Sequence, residues 1–199
     1  MQPERRKTAL AFHAKDDLPE IRRSVFQLLM THELRFSAVI RDMHRVAAEV
    51  RARNAADPEY RHRENELYDA LVNHLFKGGF HEADHFRICF ARRGKSGRTA
   101  ALRQALENSR LAYERNFGFR TRHTTDVIPA SPPESAGLQA VDYFLWALQR
   151  LYELGEERYW EFVRAKARLV YDVDDTRQSS FGVFYTSDKP LTSEARAKK

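Results

Sequence analysis

Two aspartates, Asp142 and Asp42, are the side chains whose types and positions best suit chemistry in this chain. Asp142 lies in the segment SPPESAGLQAVDYFLWALQR, residues 131–150, where two prolines precede a long apolar run. Prolines followed by such a run are typical of a helix start. Asp42 directly follows the apolar run RFSAVIR, residues 35–41, which is typical of a strand buried on both faces.

The apolar residues of the predicted helix locate Asp142 on its surface. They recur every three or four positions, which predicts one buried stripe: Leu138, Val141, Leu145, Leu148 and Tyr152. At roughly 100° per residue, Asp142 lies about 80° from the centre of this stripe, at the border between core and solvent. Gln139 lies on the same edge one turn earlier, so the two polar side chains could face the ends of the strands.

A carboxylate at a strand end and a second one on a packed helix form a metal-binding arrangement. Mg²⁺ and Mn²⁺ prefer oxygen ligands, and ions of this kind activate water and hold a phosphodiester during cleavage. We therefore expect Asp42 and Asp142 to be the metal ligands and, with Gln139, the catalytic residues. Spacing alone leaves another interpretation open, in which Asp142 is a solvated helix residue and Asp42 a turn residue.

A basic loop supplies the candidate nucleic-acid contacts. Four cations crowd residues 92–98, just before a predicted helix: Arg92, Arg93, Lys95 and Arg98. Cations at a helix start suit backbone phosphates, although a solvated basic turn would have the same composition.

His81 and His85 match the letters of a zinc-protease motif, but a glycine pair before them and a strand at His85 leave no helix to hold both rings.

The composition is typical of a globular protein, and the net charge favours a phosphate-rich partner. The 199 residues include 34 basic and 28 acidic side chains, a net charge of +6, which favours nucleic acid. The single cysteine, Cys89, excludes an internal disulfide and suits a reducing compartment. No apolar run approaches the ~20 residues of a membrane span, and the first residues, MQPERRK, lack the apolar core of a signal peptide. We expect a cytoplasmic protein with no membrane partner.

The pattern along the chain predicts strands that alternate with helices, an α/β domain with a mixed sheet. Strands are predicted at 8–14, 35–41, 85–91 and 125–130, and a terminal hairpin at 169–173 and 181–186. Helices are predicted from an Asp17 cap, then at 60–76, 99–117, 131–154 and 156–166, with a polar loop at 51–58. Residues 1–186 would form one domain and residues 187–199 a frayed polar tail.

These pieces together resemble the bacterial domain of unknown function 3800 family, which is ribonuclease-H-like. The matching stretches are FHAKD at residues 12–16, RFSAVIRD ending at Asp42, ICFARRG at residues 88–94 and GLQAVD ending at Asp142. The resemblance covers roughly residues 10–190, and GLQAVD is its most specific part.

The resemblance implies a ribonuclease-H-like mixed sheet flanked by helices, with divalent-metal chemistry on nucleic acid. By position, the resemblance makes Asp142 the carboxylate on the helix and Asp42 the carboxylate on the second strand. Members of this family open with a strand that bears an Asp-Glu-Ser-Gly-like motif and the central metal ligand, and this chain has no such motif. We therefore expect an N-terminally truncated domain: a metal-dependent nuclease-like hydrolase, either active or degenerate and inactive, or a non-catalytic nucleic-acid-binding or protein-interaction domain. A partner chain or a second copy would complete its sheet.

Overall fold

The computed structural model describes residues 11–77, 83–92, 99–118, 120 and 123–194. The helices and strands follow one another in this order: α1 (Pro19–Thr31), β1 (Phe36–Ile40), α2 (Met43–Ala56), α3 (Glu64–Phe76), β2 (His85–Ala91), α4 (Thr99–Phe117), β3 (Thr124–Ala130), α5 (Ala136–Leu154), α6 (Arg158–Val163), β4 (Ala167–Asp172) and β5 (Val183–Tyr185). Single 3₁₀ turns precede α5 and β4. The predicted α/β class is confirmed at this level.

The strands form two small sheets. In the first, β4 lies between β1 and β5, parallel to β1 and antiparallel to β5. The predicted terminal hairpin is therefore confirmed, and this sheet is mixed. In the second, β2 and β3 pair in parallel, from His85 opposite Thr124 to Ala91 opposite Ala130. Each sheet has its own apolar core, one around α1, α5 and α6 and the other around α3 and α4.

Helix α5 belongs to the larger core, and its ends follow from local sequence. The Ser135 hydroxyl accepts the backbone N–H of Leu138 and caps the first turn. Gly155 ends the helix with φ of 66°, a left-handed conformation that glycine adopts without steric cost. None of the helices among the described residues is both long and apolar enough to cross a membrane.

The buried face of α5 differs from the predicted stripe. The residues it buries are Tyr143, Phe144, Ala147, Leu148 and Leu151, whereas Val141 and Leu145 are 44% and 47% exposed. The segment is apolar nearly all round, so periodicity alone could not select the face that packs. At roughly 100° per residue, Asp142 lies nearly opposite the centre of this buried face. It is nevertheless only partly exposed, and its Oδ2 accepts the N–H of the buried Ala14.

Three other predictions need correction. Residues 11–14 are not a strand, and residues 8–10 lie outside the described part of the chain. Residues 51–56 are helical, because α2 runs on to Ala56 through a segment rich in alanine and arginine, both strong helix formers. Part of the predicted tail packs on the domain: Leu191 is buried, and its carbonyl oxygen accepts the indole N–H of Trp160 at 2.9 Å.

Candidate active site

The first turns of α5 hold the segment that precedes α1. The backbone N–H of Phe12 donates to Gln139 Oε1 at 2.9 Å, and the N–H of Ala14 donates to Asp142 Oδ2 at 2.8 Å. Residues three apart on a helix share a face, so Gln139 and Asp142 both face this segment. The two predicted site residues of α5 therefore act together, as acceptors for residues 12–14.

An imidazole and a second carboxylate lie beside Asp142. His13 Nδ1 is 3.8 Å from Asp142 Oδ2 and 3.7 Å from Asp16 Oδ2. The three side chains are accessible to solvent, with exposed fractions of 51% for His13, 35% for Asp142 and 76% for Asp16. Only one oxygen of Asp142 takes the Ala14 N–H, and a carboxylate has about four acceptor positions. The carboxylate therefore has capacity for a further ligand.

Asp17 and Arg22 fix the turn that carries His13 and Asp16. Asp17 was predicted to cap α1, but Leu18 is the N-cap residue and makes no side-chain cap. The Asp17 carboxylate instead accepts the backbone N–H of His13 and the hydroxyl of Tyr143. Arg22 donates to the carbonyl oxygens of Ala14 and Asp17 at 2.6 and 2.7 Å. These bonds cross between α1, α5 and the turn, so they hold its backbone in place.

Tyr143 keeps its proton in this arrangement. Burial raises the pKa of its phenol well above the usual range, and the hydrogen bond to Asp17 raises it further. The hydroxyl therefore acts as a donor to Asp17 rather than as an acid or base near neutral pH.

Asp42 lies at the other end of the first sheet from Asp142. Phe144 of α5 stacks on Phe36, the first residue of β1, with ring centroids 4.9 Å apart. Ten residues after Asp142, the Tyr152 hydroxyl donates to Asp172 at the carboxyl end of β4, which is parallel to β1. Helix α5 thus runs in the same direction as both strands. Asp142 lies toward the amino end of β1, and Asp42 lies beyond its carboxyl end.

Asp42 has a structural role at that end. Its carboxylate accepts the backbone N–H of His44 at 2.8 Å and so caps α2. Its own N–H donates to Asp174 Oδ2 at 2.6 Å. The structure therefore brings Gln139 and Asp142 together, and it places Asp42 with a different set of groups.

The residues around Asp42 form an acidic cluster that the sequence analysis missed: Asp172, Asp174 and Asp175. All three are tied to the protein: the N–H groups of residues 174 and 175 donate to Asp172, Arg41 pairs with Asp174 at 3.1 Å, and Arg177 bonds Asp175. The Arg177 guanidinium holds the pKa of Asp175 well below its usual range. The signal in the sequence was a run of three acids at the end of an apolar strand.

The predicted phosphate-binding loop is described only at its first residue. Arg92 pairs with the Glu134 carboxylate at 2.9 Å, and Glu134 also accepts the N–H and hydroxyl of Ser131. The positive charge of Arg92 is therefore partly neutralised within the protein. Arg93, Lys95 and Arg98 lie outside the described residues.

Within the described part of the chain, no group of three or more His, Cys, Asp or Glu side chains is arranged to hold a metal ion. Comparison with protein-family models, with curated proteins and with solved structures finds no match.

Proposed function

We propose that this chain is a divalent-metal-dependent nuclease-like protein with a ribonuclease-H-like α/β fold, acting on nucleic acid through a site at Asp142. The observation that supports this most is that Asp142 and Asp16, both accessible to solvent, each have an oxygen within 4 Å of His13 Nδ1. The net charge of +6 supports nucleic acid as the partner.

The carboxylates near His13 are oxygen ligands of the kind that Mg²⁺ and Mn²⁺ prefer. Mg²⁺ is commonly bound by one or two carboxylates, with waters and substrate phosphates as the remaining ligands, so three protein ligands are not required. Asp142 and Asp16 would hold the ion, and Asp16 replaces Asp42 in this role because Asp42 caps α2. A bound ion of this kind activates water and neutralises the developing charge on a phosphodiester.

The other residues near Asp142 would transfer protons or hold the backbone of the site in position. His13 lies where an imidazole could take a proton from, or give one to, a group bound between the carboxylates. Gln139 and Arg22 hold the backbone on either side of His13, so they are positioning residues. Arg92 would contact the phosphate backbone, together with the predicted cations Arg93, Lys95 and Arg98.

Cleavage of labelled single-stranded and duplex DNA and RNA, with Mg²⁺, Mn²⁺ or EDTA, tests this function. Asp142→Asn keeps an oxygen that can accept the Ala14 N–H but removes the charge that binds the metal. We expect it to lower the cleavage rate by on the order of 100-fold. Asp188→Asn, at an exposed carboxylate, is the matched control and should cleave like the parent. Metal-dependent cleavage that survives Asp142→Asn would exclude this site.

A non-catalytic nucleic-acid-binding or protein-interaction domain is the second candidate. It is favoured by the bonds that Gln139 and Asp142 make to backbone groups, which give both residues a structural reason to be present. This function predicts binding that weakens steeply with salt and is the same with Mg²⁺ or EDTA. Affinity that does not change with salt would argue against it.

A further inference from the structure

Three aromatic rings contact one another in a row across the first sheet and α3. Tyr171 of β4 and Phe184 of β5 lie directly opposite each other, with ring centroids 4.2 Å apart and ring planes within 4°. His74 of α3 meets Tyr171 edge-on at 5.3 Å. We call His74, Tyr171 and Phe184 the aromatic platform.

The platform opens to solvent at its outer end. Tyr171 is 6% exposed, whereas Phe184 is 52% exposed and the nearby Phe181 is 78% exposed. Strand β5 is the edge strand of its sheet among the described residues, so Phe184 covers Tyr171 on one side and no described strand lies on the other. Burial of a large apolar ring is strongly favourable. An edge ring left half-exposed beside a second exposed ring is therefore a candidate contact surface.

The charges beside the platform are mixed, because both Arg41 and its partner Asp174 lie near Tyr171. Partial burial lowers the pKa of the His74 imidazole, and the positive charges of Lys77 and Arg41 lower it further. Lys77 lies three residues after His74, at the end of α3, and is exposed. His74 is consequently neutral and aromatic at neutral pH. Arg41 is paired with Asp174 and Glu49, so Lys77 is the cation that the platform offers to a ligand.

We propose that the aromatic platform binds the bases of single-stranded nucleic acid, with Phe184 as the ring on which a base stacks and Lys77 as a phosphate contact. Flat rings next to cations suit single strands, because every base has a stacking face and every nucleotide a phosphate. Duplex DNA keeps its bases stacked inside, where a ring on a sheet edge cannot reach them. This inference rests on the nucleic-acid partner of the proposed function and adds a binding surface that lies apart from the Asp142 site.

Fluorescence anisotropy with a labelled oligothymidylate of about 15 nucleotides, a length that covers a typical single-strand site, tests the proposal. We expect Phe184→Ala to weaken binding about tenfold, the usual effect of losing one base–aromatic stack. Phe184→Leu keeps apolar surface but loses the ring, and it should weaken binding to a similar extent. Lys77→Gln should lower the slope of log affinity against log salt by about 1.

The chain offers a matched control at Phe117 of α4. This ring is 59% exposed and lies 4.5 Å from Tyr113, so Phe117→Ala removes a comparable exposed ring that contacts a tyrosine. It should bind like the parent. A thermal melt of each variant shows whether folding is intact, which is expected because Phe184 is half-exposed.

Two results would overturn the proposal. The first is a parent protein that does not bind oligothymidylate, or a Phe184→Ala variant that binds it as well as the parent. The second is a Phe184→Leu variant that retains full affinity, since stacking would then not be the cause. Sedimentation distinguishes a further case: a dimer that Phe184→Ala dissociates, with no oligonucleotide binding, would make the platform a protein contact. Asp142→Asn should lose cleavage and keep binding, so failure of the two proposals can be told apart.

Discussion

Replacing Asp142 by alanine and by asparagine separates its charge from its hydrogen bond. Asp142 Oδ2 accepts the N–H of Ala14 at 2.8 Å, and Ala14 is completely buried. Asparagine retains a side-chain oxygen at that position, and alanine leaves the N–H of Ala14 without this acceptor. We therefore expect Asp142→Ala to be clearly more destabilising than Asp142→Asn.

The expected free energies follow from the environment of this bond. A hydrogen bond to a charged group contributes about 1.5–3 kcal/mol, and the lower part of that range applies because Asp142 is 35% exposed and water can reach it. We expect a loss of about 2 kcal/mol for alanine and about 0.5–1 kcal/mol for asparagine. For a chain of this size the corresponding decreases in Tm are about 4–8 °C and about 1–4 °C.

Urea unfolding followed by tryptophan fluorescence measures these differences. Trp146 and Trp160 both report on the larger core, which contains α5 and α6. Gln149→Ala is a control on the same helix: its side chain is exposed and donates to Glu153, so the change should stay within about 0.5 kcal/mol.

Two outcomes would refute the reasoning. If Asp142→Asn costs as much as Asp142→Ala, the charge of Asp142 stabilises the fold and the Ala14 hydrogen bond does not. If neither variant changes the free energy of unfolding, α5 does not hold residues 12–14 in the way the distances indicate.

Two further predictions concern the carboxyl end of the first sheet. Gly182→Ala should lower the free energy of unfolding by about 3 kcal/mol, because Gly182 has φ of +90° and a Cβ would lie 2.4 Å from the Asp172 carbonyl oxygen. Gly137→Ala, where the nearest atom is 3.7 Å away, is the control and should be neutral or stabilising in the same thermal melts; equal effects of the two changes would contradict the clash. Arg177 holds the pKa of Asp175 below its ordinary value of 3.8. The ionised Asp175 therefore stabilises the fold above pH about 4, and this contribution is lost as the pH falls toward the lower pKa of the folded state. Urea unfolding between pH 2 and pH 7 (roughly the span of this titration) should show a weaker acid dependence in Asp175→Asn than in the parent, and identical profiles would exclude Asp175 as a source of that dependence.

Elements with a strong local pattern could be predicted from the sequence. Helix α4 spans Thr99–Phe117 and β2 spans His85–Ala91, as the periodicity and the alternation of apolar residues indicated. Helix α2 was not predicted, because it buries only Val46. A helix with almost no apolar face has little pattern to detect, and its stability comes from the intrinsic preference of alanine and arginine.

The pairing of site residues could not be predicted in the same way. Asp42 follows a correctly identified strand and Asp142 lies within a correctly identified helix. However, α5 runs parallel to β1, so the two carboxylates lie toward opposite ends of the sheet. The direction of a helix across a sheet depends on contacts such as Phe36 with Phe144, which join residues distant in the chain. Periodicity within one segment contains no information about them.

The sequence by itself determined the alternation of strands and helices, the excess of positive charge and the presence of Asp142 in a long packed helix. Tertiary structure alone decided which face of α5 is buried, because the helix is apolar on several sides. It also brought His13 and Asp16 to Asp142, since that approach depends on backbone bonds from residues 12–14 to Gln139 and Asp142. Local pattern specifies what each segment can bury, and only the packed chain determines which polar groups then meet.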